Sequence, residues 1–522
     1  MGRSTVHYAD SDTNNTLKKL HKKLRPAGTP VQRVEYIIEL LLLRIFEVKL
    51  KQDPDFKQLR DLFKTPNDKL LFSALYTIAN ERLLPTLNEQ FFPFYASILS
   101  QARKVYKTNL GQKVQDQLVL IEEVFKNSNF TNNVKSGNLQ EVLALIGEID
   151  EDRLLKTDLL GDAIESALSE TGGTKDMGLH RTPDHIRQFM VALTDPTFDD
   201  SIFDPACGTA GFGFDSYGYV TEAVRRSGKW PGPKAHPDLI AYFQKRFAAR
   251  PAAMPSPTKS LDFYRSGIHG IEYLGMIRKM AAINFYIRGL NPQNIEQGDS
   301  LALFDPAKDG GSKTVVQANP PFGADRDQEA YPNVWAEFSR ESETTILFVK
   351  LMHDALAPGG RCAVIVSEGF LTWGQPSART LRKMLVEENN LRAIISLPQG
   401  VFVSKGGVGP KTSILVFEKG GQTKDVWFYK VTNDGYTMGT NRRPIEGCQL
   451  IEALELFDKY VRHGKTPPET KHSFSVPAAW ILNLDPRVKL RIETETTADF
   501  FERADKEKET LASKLSDQVR DG

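Results

Sequence analysis

The chain has 522 residues, 40% of them apolar, so two or three domains with real cores are expected and a disordered or fibrous chain is excluded. A net charge of +1 gives no global attraction to nucleic acid, so any such contact must come from local basic patches or from a partner protein. Three widely spaced cysteines, Cys207, Cys362 and Cys448, argue against a disulfide framework or a zinc site; no metal site and a reducing compartment are expected.

Residues 1–160 read as an N-terminal helical domain. Leu17, Leu20 and Leu24 suggest a short helix, and Val34, Ile37, Ile38, Leu41, Leu42, Ile45 and Val48 recur at helical spacing in a longer one. That longer stretch is the most apolar helix candidate, but Glu35, Glu39, Arg44 and Glu47 interrupt it, so it does not suit a bilayer span. The polar start of the sequence has no signal-peptide core, and Val6 breaks the myristoylation pattern after Gly2. A cytoplasmic protein without a membrane partner is therefore expected. Lys18, Lys19, Lys22, Lys23 and Arg25 fit a solvated helix face or a contact with phosphates.

Over residues 161–445 short β-rich runs alternate with helices, the pattern of a doubly wound, mostly parallel sheet covered on both faces. Candidate strands end near Asp204, Glu272, Asp299 and Asn319, and recur at Cys362 to Ser367, Ala393 to Leu397 and Ser413 to Phe417; Asp425 to Tyr429 adds another or begins the exit. Ligands of such sheets bind beyond the carboxyl ends of the strands, where the first four candidates all place motif residues. Residues 446–522 read as a C-terminal helical tail. On its last, charged helix, from about Thr497, Leu511, Leu515 and Val519 form a narrow stripe suited to a partner helix or to this protein itself.

The first motif in chain order is Gly178-Leu179-His180-Arg181-Thr182-Pro183, with Ile186, Phe189, Met190 and Leu193 following at helical spacing. Thr182 is a natural N-cap and Pro183 a natural first helical residue. The strand ending at Asp204 then feeds Pro205-Ala206-Cys207-Gly208-Thr209-Ala210-Gly211, a turn whose small residues let the backbone approach a ligand. It suits an adenosyl cofactor, and glycine-rich turns also serve dinucleotides. Glu272 is the candidate acid for ribose hydroxyls; its distance from the turn implies an insertion between them. Asp299 is a candidate acceptor for the cofactor's adenine amino group. Both carboxylates also read as helix N-caps or solvated strand ends.

The motif Asn319-Pro320-Pro321-Phe322 carries the chemistry. An exocyclic amine conjugated to a ring is a poor nucleophile because its lone pair is delocalised. Two fixed acceptors on its hydrogens, Asn319 Oδ1 and the Pro320 carbonyl, favour a pyramidal nitrogen whose lone pair can attack a sulfonium methyl. The prolines restrict the backbone, so the acceptors need little reorganisation. Phe322 is placed to stack on a base that has left the duplex. No covalent intermediate is needed, and Cys207 belongs to the cofactor turn.

This order of Gly-x-x-x-Thr-Pro, Asp-Pro-Ala-Cys-Gly-Thr-Ala-Gly-Phe and Asn-Pro-Pro-Phe resembles the modification subunit of type I restriction-modification systems, which are adenine-N6 DNA methyltransferases. The resemblance extends to Leu160-Gly161-Asp162-Ala163, to Leu397-Pro398-Gln399-Gly400-Val401-Phe402 with Lys411-Thr412-Ser413, and to the helical flanks. It implies a class I, Rossmann-like methyltransferase fold that uses S-adenosylmethionine. Gly178 through Pro183 would cover its methionine end, Thr209 through Gly211 would hold it, and Glu272 would bind its ribose. Many relatives have two aromatics where this chain has His180-Arg181. The implied partners are double-stranded DNA, a separate specificity subunit, a second copy of the chain and a restriction nuclease-translocase subunit. Lys411-Thr412 follows Pro410 rather than the glycine of a P-loop, so no NTPase is read. A protein-glutamine or RNA amino methyltransferase, or a noncatalytic assembly subunit, are the alternatives. Residues 225–261 carry Arg225, Arg226, Lys229, Lys234, Lys245, Arg246, Arg250 and Lys259 against the single acid Asp238 within the basic run, and suit phosphates or plain solvent. The stretch from Gly323 to Ser342, with Tyr331, Trp335 and Phe338, suits ordering around a flipped base or an ordinary loop.

Overall fold

The computed structural model describes residues 11–106, 110–134, 136–156, 182–228, 230–232, 235–322, 343–402, 409–438, 442–483 and 506. The described residues before 157 form helices only. Helix α1 (Ser11–Lys23) precedes α2 (Pro30–Gln52), where Thr29 and Gln32 close a capping box: Gln32 N–H donates to Thr29 Oγ1 over 3.3 Å and Thr29 N–H to Gln32 Oε1 over 2.9 Å. All seven apolar positions expected on α2 are buried, each contributing about 1.5–3 kcal/mol of transfer free energy. Lys18, Lys19 and Lys22 lie on the exposed side of α1. No helix among the described residues is long and apolar enough to cross a membrane.

The helical layer has no separate core. Apolar residues of α2 and α3 (Gln112–Phe125) form one continuous cluster with Ile202, Ile268, Ile295 and the helix Gly275–Ile287. Lys49 of α2, wholly buried, donates from Nζ to the Tyr286 carbonyl over 2.8 Å, satisfying a carbonyl at that helix's C-terminal end.

The sheet has nine strands: β1 (Ile202–Asp204), β2 (Ile268–Glu272), β3 (Ile295–Gln297), β4 (Lys313–Ala318), β5 (Leu356–Ser367), β6 (Asn390–Ser396), β7 (Thr412–Glu418), β8 (Asp425–Lys430) and β9 (Ser473–Pro477). Their order is β3-β2-β1-β4-β5-β7-β6-β8-β9. All run parallel except β7, inserted antiparallel between β5 and β6, and β9, antiparallel on β8. Helices α4 (Asp184–Thr194), α5 (Gly211–Arg225), α6 (Pro237–Ala248), α7 (Gly275–Ile287), α8 (Thr344–Ala355), α9 (Pro376–Glu387) and α10 (Gln449–Lys459) flank it. On β5, Cys362, Val364 and Val366 belong to the core with α8 and α9, whereas Ala363 and Ile365 belong to the core with α4, α6 and α10. Both faces are covered, so the strand reads as an unbroken apolar run.

Strand β3 ends at Gln297, near Asp299 as expected. One expectation is corrected. The segment read as a helical tail contributes β9, which closes the edge of β8; Phe474 stacks on Phe428 at 5.2 Å, and the short helix Ala478–Asn483 follows. The stripe Leu511, Leu515 and Val519, the lead-in 160–163 and the stretch 323–342 lie outside the described residues.

Candidate active site

The chain leaves β1 outward to β2 and β3, then crosses back to β4 on the other side of β1. This reversal opens a crevice at the carboxyl ends of neighbouring strands. Phe203 of β1 pairs with Val316 of β4, so the glycine turn and Asn319-Pro320-Pro321-Phe322 leave adjacent strands on the same edge of the sheet.

The glycine turn is held by its own chain. Asp204 is buried, and its Oδ1 accepts from Ala206 N–H over 3.0 Å. Glu272 accepts from Gly208 N–H through Oε2 over 3.0 Å and from Leu274 N–H through Oε1 over 2.8 Å. Cys207 N–H donates to Ile271 O over 3.0 Å, tying the turn to β2. Burial raises the carboxyl pKa of Glu272. Burial first, and the neighbouring Glu272 charge after it, push Asp204 up to about 8. Burial also pushes the Cys207 thiol well up, which is contrary to what a nucleophile needs.

Gly208 adopts φ +54°, and a Cβ built there meets nothing within 4 Å, so open space lies over the turn. A carboxylate has about four lone-pair sites, so Glu272 keeps acceptor capacity beyond its backbone bonds. Tyr273, the next residue, is 61% exposed. An open backbone turn, a carboxylate and an accessible ring together fit an adenosyl group. Asp299 is half-buried and caps the short helix Ser300–Leu303, its Oδ1 accepting from Leu301 N–H over 3.1 Å. Its N-cap role is thus realised at the mouth of the same crevice, where Gly298 N–H donates to Glu272 O over 3.0 Å.

The capping expected of Thr182 is corrected. Helix α4 begins at Asp184, Pro183 stands before it in an extended conformation, and no side chain caps it. Thr182 is buried, and its carbonyl accepts from Arg187 Nη1 over 2.8 Å. Gly178, Leu179, His180 and Arg181 lie outside the described residues.

At the end of β4 the side-chain Oδ1 of Asn319 is shielded from solvent. Thr344, at the start of α8, donates from Oγ1 to the Pro321 carbonyl over 3.1 Å and fixes the second proline. Phe322 meets Phe402 edge to face, ring centroids 6.3 Å apart, which ties the motif to the Leu397-to-Phe402 segment. Acceptors at the end of β4 and an open backbone turn beside a carboxylate at the end of β1 suit methyl transfer to an amino nitrogen.

The model of the N-6 DNA Methylase family matches residues 155–486. This chain belongs to the N-6 DNA methylase family. It is 29% identical over 429 residues to the type I restriction enzyme EcoEI methylase subunit of Escherichia coli, a match covering 80% of this chain and 77% of that one. It is 25% identical over 399 residues to the EcoKI methylase subunit of Escherichia coli strain K12, covering 72% and 67%. Among solved structures, a type I modification subunit from Vibrio vulnificus YJ016 shares the fold at a TM-score of 0.64 and 18% identity, covering 95% of this chain and 96% of that one. A chain from a type I restriction-modification system described for its complex assembly and conformational transition does so at 0.62 and 19%, covering 98% and 99%. The class I methyltransferase fold read from the motif order is therefore the fold observed, and the family is one of S-adenosylmethionine-dependent enzymes.

In this N-6 DNA methylase several supporting contacts escaped the sequence reading. Asn284 of α7 is buried and donates from Nδ2 to the Thr209 carbonyl over 2.9 Å, and Ser300 donates to the Pro205 carbonyl. Lys411 donates from Nζ to Ser396 Oγ over 2.9 Å and to Leu397 O over 2.7 Å, so it braces the loop after β6. The basic segment 225–261 is not one cationic surface. Arg246 is buried, donating to Ala192 O over 3.0 Å and pairing with Asp458 at 2.7 Å; Arg250 pairs with Asp195 at 2.6 Å, and Lys259 pairs with Asp199. Arg225 and Lys245 are exposed, and Lys229 and Lys234 lie outside the described residues.

Proposed function

We propose that this chain is the modification subunit of a type I restriction-modification system, methylating N6 of an adenine flipped out of double-stranded DNA. The observation that carries the reading is the emergence of the glycine turn and Asn319-Pro320-Pro321-Phe322 from adjacent strands, on one edge of the sheet. S-adenosylmethionine, when bound, supplies an electrophilic methyl on its sulfonium. The turn from Thr209 to Gly211 holds it, Glu272 accepts from its ribose, Tyr273 offers a ring face to its adenine, and Asp299 stands at the mouth for its amino group. Gly178 through Pro183 cover its other end.

Asn319 Oδ1 and the Pro320 carbonyl accept hydrogen bonds from the two N–H groups of the target amine and turn its lone pair toward the methyl; as the C–N bond forms and the methyl–sulfur bond breaks, one amine proton is released to solvent. Phe322 stacks on the flipped base. Thr344 keeps the Pro320-Pro321 turn fixed during transfer. Nothing in this needs a covalent enzyme intermediate. Sequence is read by a separate specificity subunit. A second copy of the chain and a restriction nuclease-translocase subunit complete the assembly in the cytoplasm. The N-terminal region 1–160 and the C-terminal segment 446–522, whose β9 completes the sheet, meet those partners around the catalytic domain 161–445.

The test uses the chain purified with its bound partners, radiolabelled S-adenosylmethionine, and DNA, RNA and protein substrates. Label recovered as N6-methyladenine in DNA, and lost in Asn319→Ala, is the expected result. Label in protein glutamine or RNA replaces this reading with another amino methyltransferase. Cofactor binding without transfer to any substrate, with all partners present, replaces it with a noncatalytic role.

A further inference from the structure

Arg187 and Asp215 carry opposite charges inside the protein, 3% and 4% exposed, close to the glycine turn. Ordinary packing does not require them there, because desolvating an ion pair costs several kcal/mol per ion, and apolar residues of similar size are often as stable or more so. Their geometry supplies a reason. Arg187 Nε donates to Asp215 Oδ2 over 2.8 Å, Nη1 donates to the Thr182 carbonyl over 2.8 Å, and Nη2 lies 2.9 Å from Asp184 Oδ1. The other oxygen of Asp215 accepts from Trp230 Nε1 over 3.2 Å. The carboxylate therefore has little freedom to turn away.

The Arg187 stem passes directly over the start of α5. A Cβ on Gly211 would sit 2.8 Å from Arg187 Cδ, which explains why this helix opens with glycine. The guanidinium also lies 5.1 Å from the centre of the Phe214 ring. One planar cation thus touches both walls of the crevice. On one side is the carbonyl of Thr182, in the extended backbone before α4; on the other is the first turn of α5, which continues directly from Thr209-Ala210-Gly211.

We propose that Arg187, braced by Asp215, is a positioning residue for the cofactor: it fixes the distance between Thr182–Pro183 and the glycine turn. The inference rests on the reading of these two segments as cofactor-binding. A lysine does not replace it, because a single ammonium lacks the rigid fork that reaches a carboxylate and a carbonyl in different directions.

The decisive variant is the paired substitution Arg187→Met with Asp215→Leu, which removes both buried charges and so leaves none unpaired. It is measured with Arg187→Lys and the unaltered chain, each purified with bound partners. Calorimetric titration with S-adenosylmethionine, thermal melting and DNA affinity are followed. The paired variant is expected to melt within about 4 °C of the unaltered chain. It should hold DNA equally well yet bind S-adenosylmethionine roughly tenfold more weakly, the scale of one lost hydrogen bond to a charged group. Its KM for the cofactor rises while kcat at saturation stays near the original. A folded paired variant that binds the cofactor as the unaltered chain does overturns the proposal. If the pair does not fold, Arg187→Lys decides: it keeps the charge but loses the Thr182 carbonyl, so undiminished cofactor affinity overturns it equally. An unaltered chain that binds no S-adenosylmethionine sinks the cofactor reading itself, which is a separate failure.

Discussion

The turns after β1 and β4 leave neighbouring strands but are stiffened by different means, the first by several side chains and the second mainly by its own rings. After β1, side chains hold backbone: Asp204 takes Ala206 N–H, Glu272 takes Gly208 and Leu274 N–H, and Asn284 holds the Thr209 carbonyl. After β4 the backbone is stiffened by two consecutive prolines and by Thr344 on the Pro321 carbonyl. A turn that binds a ligand through its main chain needs its amides and carbonyls fixed by side chains. The turn after β4 presents one side-chain acceptor and one carbonyl, and two locked rings with a single hydroxyl are enough to hold it. Changes at the two turns should therefore divide between cofactor binding and transfer.

The largest expected effect is at β4. Asn319→Ala should reduce methyl transfer roughly a hundredfold to a thousandfold, the scale of losing one preorganised polar group aimed at developing charge. Calorimetry should find its cofactor affinity unchanged; weakened cofactor binding would break the division. Next is Glu272→Ala, which leaves two backbone donors without their acceptor and should cost about 1–3 kcal/mol of stability. It should raise the KM for S-adenosylmethionine while most of kcat returns at saturating cofactor, and steady-state kinetics at two cofactor levels checks this.

Asp204→Asn should act through pH. With the folded carboxyl raised to about 8 from an ordinary 3.8, the native chain holds a proton that the unfolded chain has released, so stability falls as pH rises through that window. The amide can still accept from Ala206 N–H but carries no charge. Urea unfolding should find the variant more stable than the unaltered chain by on the order of 1–3 kcal/mol at pH 8, and close to it at pH 4. The smallest effect is expected at Thr344→Val, which removes the donor to Pro321. It should lower kcat roughly threefold to tenfold, about the worth of one neutral hydrogen bond, without moving the KM for the cofactor.

Much of this was legible in the sequence because strands covered on both faces are continuous apolar runs, and those runs end at Asp204, Glu272 and Ala318, just before Asn319. Strand β9 was not, because Ser473-Phe474-Ser475-Val476-Pro477 is short, alternating and closed by proline, as suits an edge. Thr182 and Pro183 read as a helix start because their types favour one, yet the Thr182 carbonyl is taken by Arg187 and the helix begins later. Arg187, Asp215, Arg246 and Asp195 were illegible for one shared reason. A charge in a sequence looks the same whether it meets water or a partner many residues away, and only the fold brings these together.

Lys49 and Asn284 meet the same turn of α7, one satisfying the Tyr286 carbonyl and the other reaching out to Thr209. The helical layer is thus joined to the glycine turn through a few residues of a single helix, within one continuous apolar cluster. Cutting the chain near residue 157 would uncover the apolar face of α7 and leave its last carbonyls without Lys49. The two regions should therefore melt in one transition, and the catalytic sheet should not survive as a module on its own.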